Sequence, residues 1–310
     1  MSSGFNLLKS KKQDIKNILV TGGAGFIGSH VCDLLIGCGY NVIVVDNLSC
    51  GFESQINPKA SFYNMDINSP ELQNVFDENG IDAVFHFAAQ ASVGFSTKFP
   101  ICDAESNIMG TLNLLSLCKK YKIKKLIASS TAAVYGVPKY LPVDENHGTE
   151  CLSFYGLSKL TMEKYVELFG VDYVILRLAN VYGPRQSSLG EAGVIAIFAD
   201  KMNKKQDAVI HGDGTQTRDF ISVFDVSKAC LCALESDVKN EIINISTEEA
   251  VSIKELFEVM SAQYAYGKSP VYGEPREGDI KDSILKNEKC KRLLGFSPLI
   301  ALNGGITALK

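Results

Sequence analysis

The sequence has no long basic run, no C-x-x-C pair, no clustered histidines and no apolar stretch long enough to span a membrane. Each absence closes a class of function. With a net charge of -4 over 310 residues, nothing draws the chain to nucleic acid or to an anionic membrane. Nine cysteines, an odd number and scattered, fit reduced thiols packed as small hydrophobes rather than a disulfide framework. Four isolated histidines give no metal-ligand spacing. The stretch from Met1 to Lys16 carries Lys9, Lys11, Lys12 and Lys16 but no apolar core of signal-peptide length, so the cytoplasm is the default location. Internal repeats and low-complexity segments are missing too. What remains is a globular composition, 46% apolar and 21% charged, long enough for two lobes.

Short β-rich apolar runs alternate with helical stretches through the first half. Strands are expected at Asn17–Thr21, Asn41–Val45, Ser61–Met65, Ala83–Phe87, Lys125–Ser129 and Tyr173–Leu178. Helices are expected from about Phe26 to Cys38, over Pro70–Asn79, roughly Phe99–Tyr121, and Ser153–Gly170. That rhythm predicts an α/β fold, a doubly wound parallel sheet of the Rossmann kind with ligands beyond the carboxyl ends of the strands. After Asn180 the elements shorten (Val194–Met202, Val209–His211, Val223–Leu234, Glu241–Ile245, Ile253–Ser261) and the loops fill with Gly and Pro. Residues 1–179, with roughly 220–245, read as a dinucleotide-binding domain. Residues 180–219 and 246–310 read as a smaller C-terminal substrate lobe.

Thr21-Gly22-Gly23-Ala24-Gly25-Phe26-Ile27-Gly28 falls where the first strand turns into the first helix. Gly22 permits the tight turn, Gly25 lets backbone approach a pyrophosphate, and Gly28 lets helix and sheet pack closely. The helix N-terminus offers free N–H groups to the anion. Asp46, at the end of the second strand, can accept from both ribose hydroxyls of an adenosine. No Arg or Lys follows it until Lys59, so a 2′-phosphate would lack a counter-charge and NAD is favoured over NADP. Asp66, after the third strand, reads either as a partner for the adenine edge or as an ordinary turn cap.

Tyr155 and Lys159 are four apart on a predicted helix and share a face. A free tyrosine, with a pKa of about 10, is a poor base at neutral pH, and lowering it by about 3 units takes about 4 kcal/mol. One buried ammonium about 5 Å away supplies roughly 3 kcal/mol at an effective dielectric of about 20. An oxidised nicotinamide ring would supply a similar amount, so two cations suffice. Alone, such spacing describes many solvated helix faces; behind a dinucleotide turn and a hydroxyl-rich strand end it reads as catalytic. That strand end is Ser129-Ser130-Thr131, where Thr131 could share the substrate proton with Tyr155. Ser129 and Ser130 read equally as caps of the strand end. His86 and His211 lie in apolar runs and read as buried structural residues.

These residues resemble the extended short-chain dehydrogenase/reductase family, and within it the nucleotide-sugar epimerases of the UDP-glucose 4-epimerase type. The likeness runs from about Lys16 nearly to the C-terminus. It is carried by TGGAGFIGSH from Thr21, DNLSCG from Asp46, HFAAQASVGFS from His86 and SSTAAVYG from Ser129. YGLSK from Tyr155, RLANVYGPRQ from Arg177, GDGTQTRDFISVFDV from Gly212 and REGDI from Arg276 follow in the family's order. The resemblance implies Thr131, Tyr155 and Lys159 as catalytic residues. It implies Gly22, Gly25, Phe26, Ile27, Gly28, Asp46, Asn47, Asp66, Ile67, Phe87, Ala88, Ala89 and Asn107, with Tyr155 and Lys159, as the NAD site. Ser130, Thr131, Asn180, Arg218, Arg276, Asp279 and Ser283 would hold a UDP-sugar. Two arginines suit a pyrophosphate and Asp279 a ribose hydroxyl, although Arg276 and Asp279 could instead pair with each other.

Dehydratase- and decarboxylase-type relatives place an acid directly after the catalytic Ser or Thr, whereas Ala132 and Ala133 stand here. The resemblance therefore implies a UDP-hexose 4-epimerase that passes through a 4-keto sugar and is re-reduced on the opposite face. A uronic-acid epimerase, a dehydratase, a reductase and a non-catalytic NAD-binding sensor stand as alternatives. Ser283 is small where some glucose-restricted relatives carry tyrosine, which would leave room for an N-acetyl group. The family also implies a homodimer packed through the helices near Phe99–Tyr121 and Ser153–Gly170.

Overall fold

A computed structural model describes residues 15–188, 193–275 and 279–309. The first half runs β1 (Asn17–Thr21), α1 (Phe26–Gly37), β2 (Asn41–Asp46), β3 (Ser61–Asn64), α2 (Leu72–Asn79) and β4 (Ala83–His86). It continues with α3 (Val93–Lys98), α4 (Pro100–Ala104), α5 (Gly110–Lys120), β5 (Lys125–Thr131), α6 (Phe154–Phe169) and β6 (Tyr173–Leu178). The second half contains β7 (Asn180–Tyr182), α7 (Val194–Asn203), β8 (Val209–His211), β9 (Thr217–Arg218), β10 (Phe220–Ser222), α8 (Val223–Glu235) and β11 (Glu241–Ile245). β12 (Val251–Ser252), α9 (Ile253–Gln263), β13 (Val271–Gly273), β14 (Asp282–Ser283), α10 (Glu288–Leu294) and α11 (Leu302–Thr307) complete it.

Seven strands form one parallel sheet in the order β11-β6-β5-β4-β1-β2-β3. The fold is the doubly wound one expected. Its strands are apolar on both faces because both are covered: Ile18 and Val20 join a core with α1 and α8, while Leu19 joins another with α2, α5 and α6. Tyr182, Phe198, Phe257 and Ile306 belong to a third core, made by the shorter elements of the second half.

The expected helix over Phe99–Tyr121 is broken. α4 passes through a wide π-type turn at Glu105–Met109 before α5 begins, and α3 precedes it. Gly110 marks the break, since a Cβ there would lie 2.4 Å from the Ile67 side chain. Such turns widen a helix locally and let one carbonyl escape the regular ladder. The Asn107 carbonyl accepts from the Thr111 hydroxyl at 2.7 Å.

One buried ion pair fixes α6 on the sheet. Arg177 on β6 donates to Glu163 on α6 from Nε at 2.9 Å and from Nη2 at 2.6 Å, with both side chains nearly inaccessible. The Arg177 guanidinium also lies 4.7 Å from the centre of the Tyr135 ring. Among the described residues no helix is long and apolar enough to cross a membrane.

Candidate active site

Strand order reverses between β1 and β4, and a crevice forms there beyond the strand ends. Gly22 has φ +73°, and a Cβ on it would lie 2.5 Å from the Ala88 nitrogen in the loop after β4. A Cβ on Gly28 would lie 2.2 Å from the Gly22 carbonyl oxygen. Neither position has room for a side chain. Gly25 caps α1 without a side-chain bond, and the first turn, with Phe26 and Ile27, holds no acid. The leading N–H groups of α1 are thus left for an anion.

Asp46 closes β2 almost buried; its Oδ2 accepts from Ala24 N–H at 3.0 Å and its Oδ1 from Leu48 N–H at 2.8 Å. Each oxygen keeps a lone pair for a ribose hydroxyl. The Asn47 amide donates to Asp66 at 2.7 Å, and the second Asp66 oxygen accepts from Asn68 N–H at 2.8 Å. Asp66 therefore does cap its turn. Ile67 turns its side chain into the core against Gly110, leaving only its backbone for the crevice. Phe87 stacks on Phe85, and Ala88 and Ala89 carry the loop past Gly22. A glycine cradle, an uncapped helix start and a carboxylate at the second strand end fit a dinucleotide.

Two serines orient the start of α6. Ser153 accepts from Gly156 N–H at 3.0 Å, and Ser96 on α3 accepts from Tyr155 N–H at 3.1 Å. A Cβ on Gly156 would lie 2.8 Å from the Ala133 carbonyl oxygen, so α6 starts in close contact with the turn after β5. Tyr155 thereby meets Thr131, whose hydroxyl donates to the phenol oxygen while accepting from Ala133 N–H at 3.1 Å. Tyr155 is half-buried and Lys159 buried.

Burial pushes the Tyr155 phenol up to about 12; the Thr131 bond pulls it down, and the Asp103 carboxylate pushes it up again. Lys159 falls to about 8 because burial disfavours its charge, against the attraction of Glu163 and Asp103. Neutrality therefore finds a protonated phenol beside a mostly charged ammonium. Closing the gap to pH 7 takes on the order of 7 kcal/mol at about 1.4 kcal/mol per unit. One ammonium supplies roughly 3 kcal/mol of that. Any positive charge brought close to the phenol would favour its ionised form.

One expected contact is corrected, and a second residue has partners of its own. Ser130 points to the other side of β5 and donates to Glu163, so its hydroxyl serves the buried ion pair and not a substrate. Asn107 is buried with its amide fully engaged: Nδ2 donates to the Gln90 carbonyl (2.9 Å), Ser158 (3.0 Å) and Asp103 (3.1 Å). Its Oδ1 accepts from Gln90 N–H at 2.8 Å. It braces the crevice wall through its side chain, and its Oδ1 keeps one lone pair.

His86 sits beneath the crevice in one tautomer. The single Thr111 hydroxyl proton goes to the Asn107 carbonyl, so Thr111 must accept from His86 Nε2–H, at 2.9 Å. His86 Nδ1 then accepts from Thr21 at 2.8 Å, and Thr21 accepts from Ala88 N–H at 3.4 Å. Burial, helped by the Lys159 charge, lowers this imidazole to about 3. It is neutral.

In the second half, Arg218 pairs with Asp279 and also donates to the Thr217 carbonyl at 2.7 Å. Ser283 on β14 lies opposite Arg218 on β9. Asn180 on β7 pairs with Phe220, and its side chain is exposed. Arg276 lies outside the described residues, and so do both its expected place at the UDP-sugar and the alternative pairing with Asp279. Sequence reasoning missed Ser96, Asp103, Ser158, Glu163 and Arg177. Only Glu163 carried a local signal, standing four residues beyond Lys159 on the same helix face.

Residues 18–246 match the sequence profile of the NAD-dependent epimerase/dehydratase family. A Methanocaldococcus jannaschii protein provisionally named a UDP-glucose 4-epimerase is 49% identical, over 93% of this chain and 95% of its own. The Thermotoga maritima UDP-glucose 4-epimerase, solved with UDP-glucose, superposes with a TM-score of 0.92 at 45% identity, covering 94% of this chain and 96% of that one. The Methanobrevibacter ruminantium UDP-N-acetylglucosamine 4-epimerase, solved with UDP-N-acetylmuramic acid, gives 0.90 at 35%, covering 96% and 97%.

Gly28→Ala puts a methyl group into the Gly22 carbonyl and must displace the turn. Affinity for NAD, read by equilibrium dialysis, is expected to fall at least about tenfold. Unchanged affinity would remove the cradle from the cofactor site.

Proposed function

The chain belongs to the NAD-dependent epimerase/dehydratase family, and from that premise we propose that it inverts carbon four of a UDP-hexose. NAD, when bound, would supply the hydride acceptor and donor that this inversion needs. Gly22, Gly25, Phe26, Ile27, Gly28, Asp46 and Asn47 would hold the dinucleotide, with Lys159 beside it. Tyr155 removes the 4-hydroxyl proton and later returns one, while Thr131 orients that hydroxyl and donates to the phenolate. The observation that carries the reading is the Tyr155–Thr131 contact with the buried Lys159 one turn further along α6, and no acid at Ala132 or Ala133 to drive elimination. Lacking that acid, a 4-keto sugar has re-reduction as its open course.

Arg218 and Asp279 would anchor the UDP moiety. In the ligand-free chain they neutralise each other, so a diphosphate must share or displace the carboxylate, leaving Asp279 for a ribose hydroxyl. Binding energy gained there, remote from carbon four, holds the intermediate while the sugar turns. Ser283, opposite Arg218, leaves space on that side for an N-acetyl group.

A homodimer is part of the same reading. Ile101 and Met109 on the α4–α5 side, and Phe154, Leu157 and Leu168 on α6, are large apolar side chains more than four-tenths exposed. On α6 the three lie within one face, spaced for a helix–helix seam. A second copy covering this seam would bury them without touching the Tyr155 face.

Tyr155→Phe should cost at least about a thousandfold in UDP-galactose to UDP-glucose conversion while NAD affinity stays within a few-fold. Activity within a few-fold of the parent would reject Tyr155 as the base; for the parent, a stoichiometric change in nicotinamide absorbance would indicate a net oxidoreductase. Ser283→Tyr should suppress turnover of UDP-N-acetylgalactosamine at least about tenfold more than that of UDP-galactose. Equal losses would reject the pocket-size reading. Leu157→Asp is expected to sediment as a monomer where the parent sediments as a dimer; a monomeric parent, or an unchanged variant, counts against the seam.

A further inference from the structure

Asp103 on α4 is a buried carboxylate, 1% exposed, that the reading above leaves without a role. Its Oδ1 accepts from the Gln90 side chain at 2.7 Å and from Asn107 at 3.1 Å. Gln90 belongs to the loop after β4 that presses on Gly22, and Asn107 donates to Ser158 on α6 at 3.0 Å. Ser158 stands next to Lys159 and donates to the Tyr155 carbonyl at 3.1 Å. Asp103 is therefore tied, through two side chains, to the helix that carries both reacting groups.

A buried carboxylate needs a counter-charge. Among the described residues Asp103 has no cation within ion-pair distance, whereas Glu163 has Arg177. The charged or titratable groups that interact with Lys159 are Glu163 from its own helix, Asp103 from α4 and the neutral His86 from β4; Tyr155 stands four residues earlier on α6, and Arg177, from β6, lies behind Glu163. Lys159 is thus the cation that answers Asp103 across the site.

Resting on the epimerase reading, we propose that Asp103 is a positioning residue whose charge keeps Lys159 protonated while its hydrogen bonds hold the crevice loop against α6. Its field acts on both reacting groups in one direction. It favours the proton on Lys159 and also the proton on Tyr155. Turnover needs the first charged and the second ionised, so Asp103 shifts the whole working range to higher pH.

Asp103→Asn separates charge from geometry, because the amide oxygen can still accept both bonds. The pH–kcat bell should move to lower pH by roughly 0.5–1 unit on both limbs, with its height at the optimum within about threefold. Gln90→Met, which removes the side-chain bonds to Asp103 and Ser92 and leaves the charge, should lower the bell without moving it. A second readout needs no turnover. Lys159 is held near 8, below its ordinary 10.5, so the folded state carries a penalty that is full below pH 8 and relieved as pH rises toward 10.5. Unfolding stability of the full chain should therefore rise through that window, and Lys159→Met should lack this part of the rise. Lys125, also near 8, is common to all variants and cancels in the comparison. In Asp103→Asn the Lys159 part should begin roughly 0.5–1 unit lower. A bell reduced in height but fixed in position, an unmoved stability profile, or an Asp103→Asn chain that does not fold overturns the proposal. A parent inactive on every UDP-sugar sinks the epimerase reading instead and leaves the stability profile to decide this one.

Discussion

The site depends on the bidentate contact between Glu163 and Arg177. α6 brings Tyr155 and Lys159 to the strand ends, and this pair fixes the height and rotation of α6 on the sheet. Two desolvated charges stabilise a fold little in net terms, since the cost of removing them from water offsets most of their attraction. Their worth is directional. Two parallel N–H···O bonds tolerate no sliding, and an apolar contact would. Ser130 supplies a further bond to the carboxylate, and the Tyr135 ring covers the guanidinium. The hydroxyl expected to touch substrate is thus spent on fixing the helix.

Above that pair, burial rather than charge sets the protonation of the reacting groups. It pushes the Tyr155 phenol up and pulls the Lys159 ammonium down, so both move away from the base-and-cation arrangement that chemistry needs. Thr131 recovers part of the loss by donating to the phenol oxygen. A positive charge brought close to the phenol would recover more of it.

Local signals made the sheet legible. Continuous apolar runs such as those of β1, β2 and β6 can lie only in a sheet covered on both faces, and the turn at Gly22–Gly28 names its own purpose through glycines that admit no Cβ. The break between α4 and α5 was not legible. Gly110 looks like an ordinary helical glycine until Ile67, far away in sequence, is seen against it. Tyr155, Lys159 and Thr131 could be found from spacing and order. Ser96 and Asp103 could not, because each acts through a partner on another element. The burial of the Tyr155 phenol was not legible either: spacing shows which groups share a helix face, while desolvation depends on everything packed around the oxygen.

The hydrogen-bonded string under the crevice begins at an amide N–H, that of Ala88, and ends at a carbonyl, that of Asn107. Neither terminus can release or take up a proton, and every hydroxyl between them has its one hydrogen assigned. Such a string resembles a proton wire but is closed at both ends. The floor of the crevice is therefore sealed to proton transfer along this string.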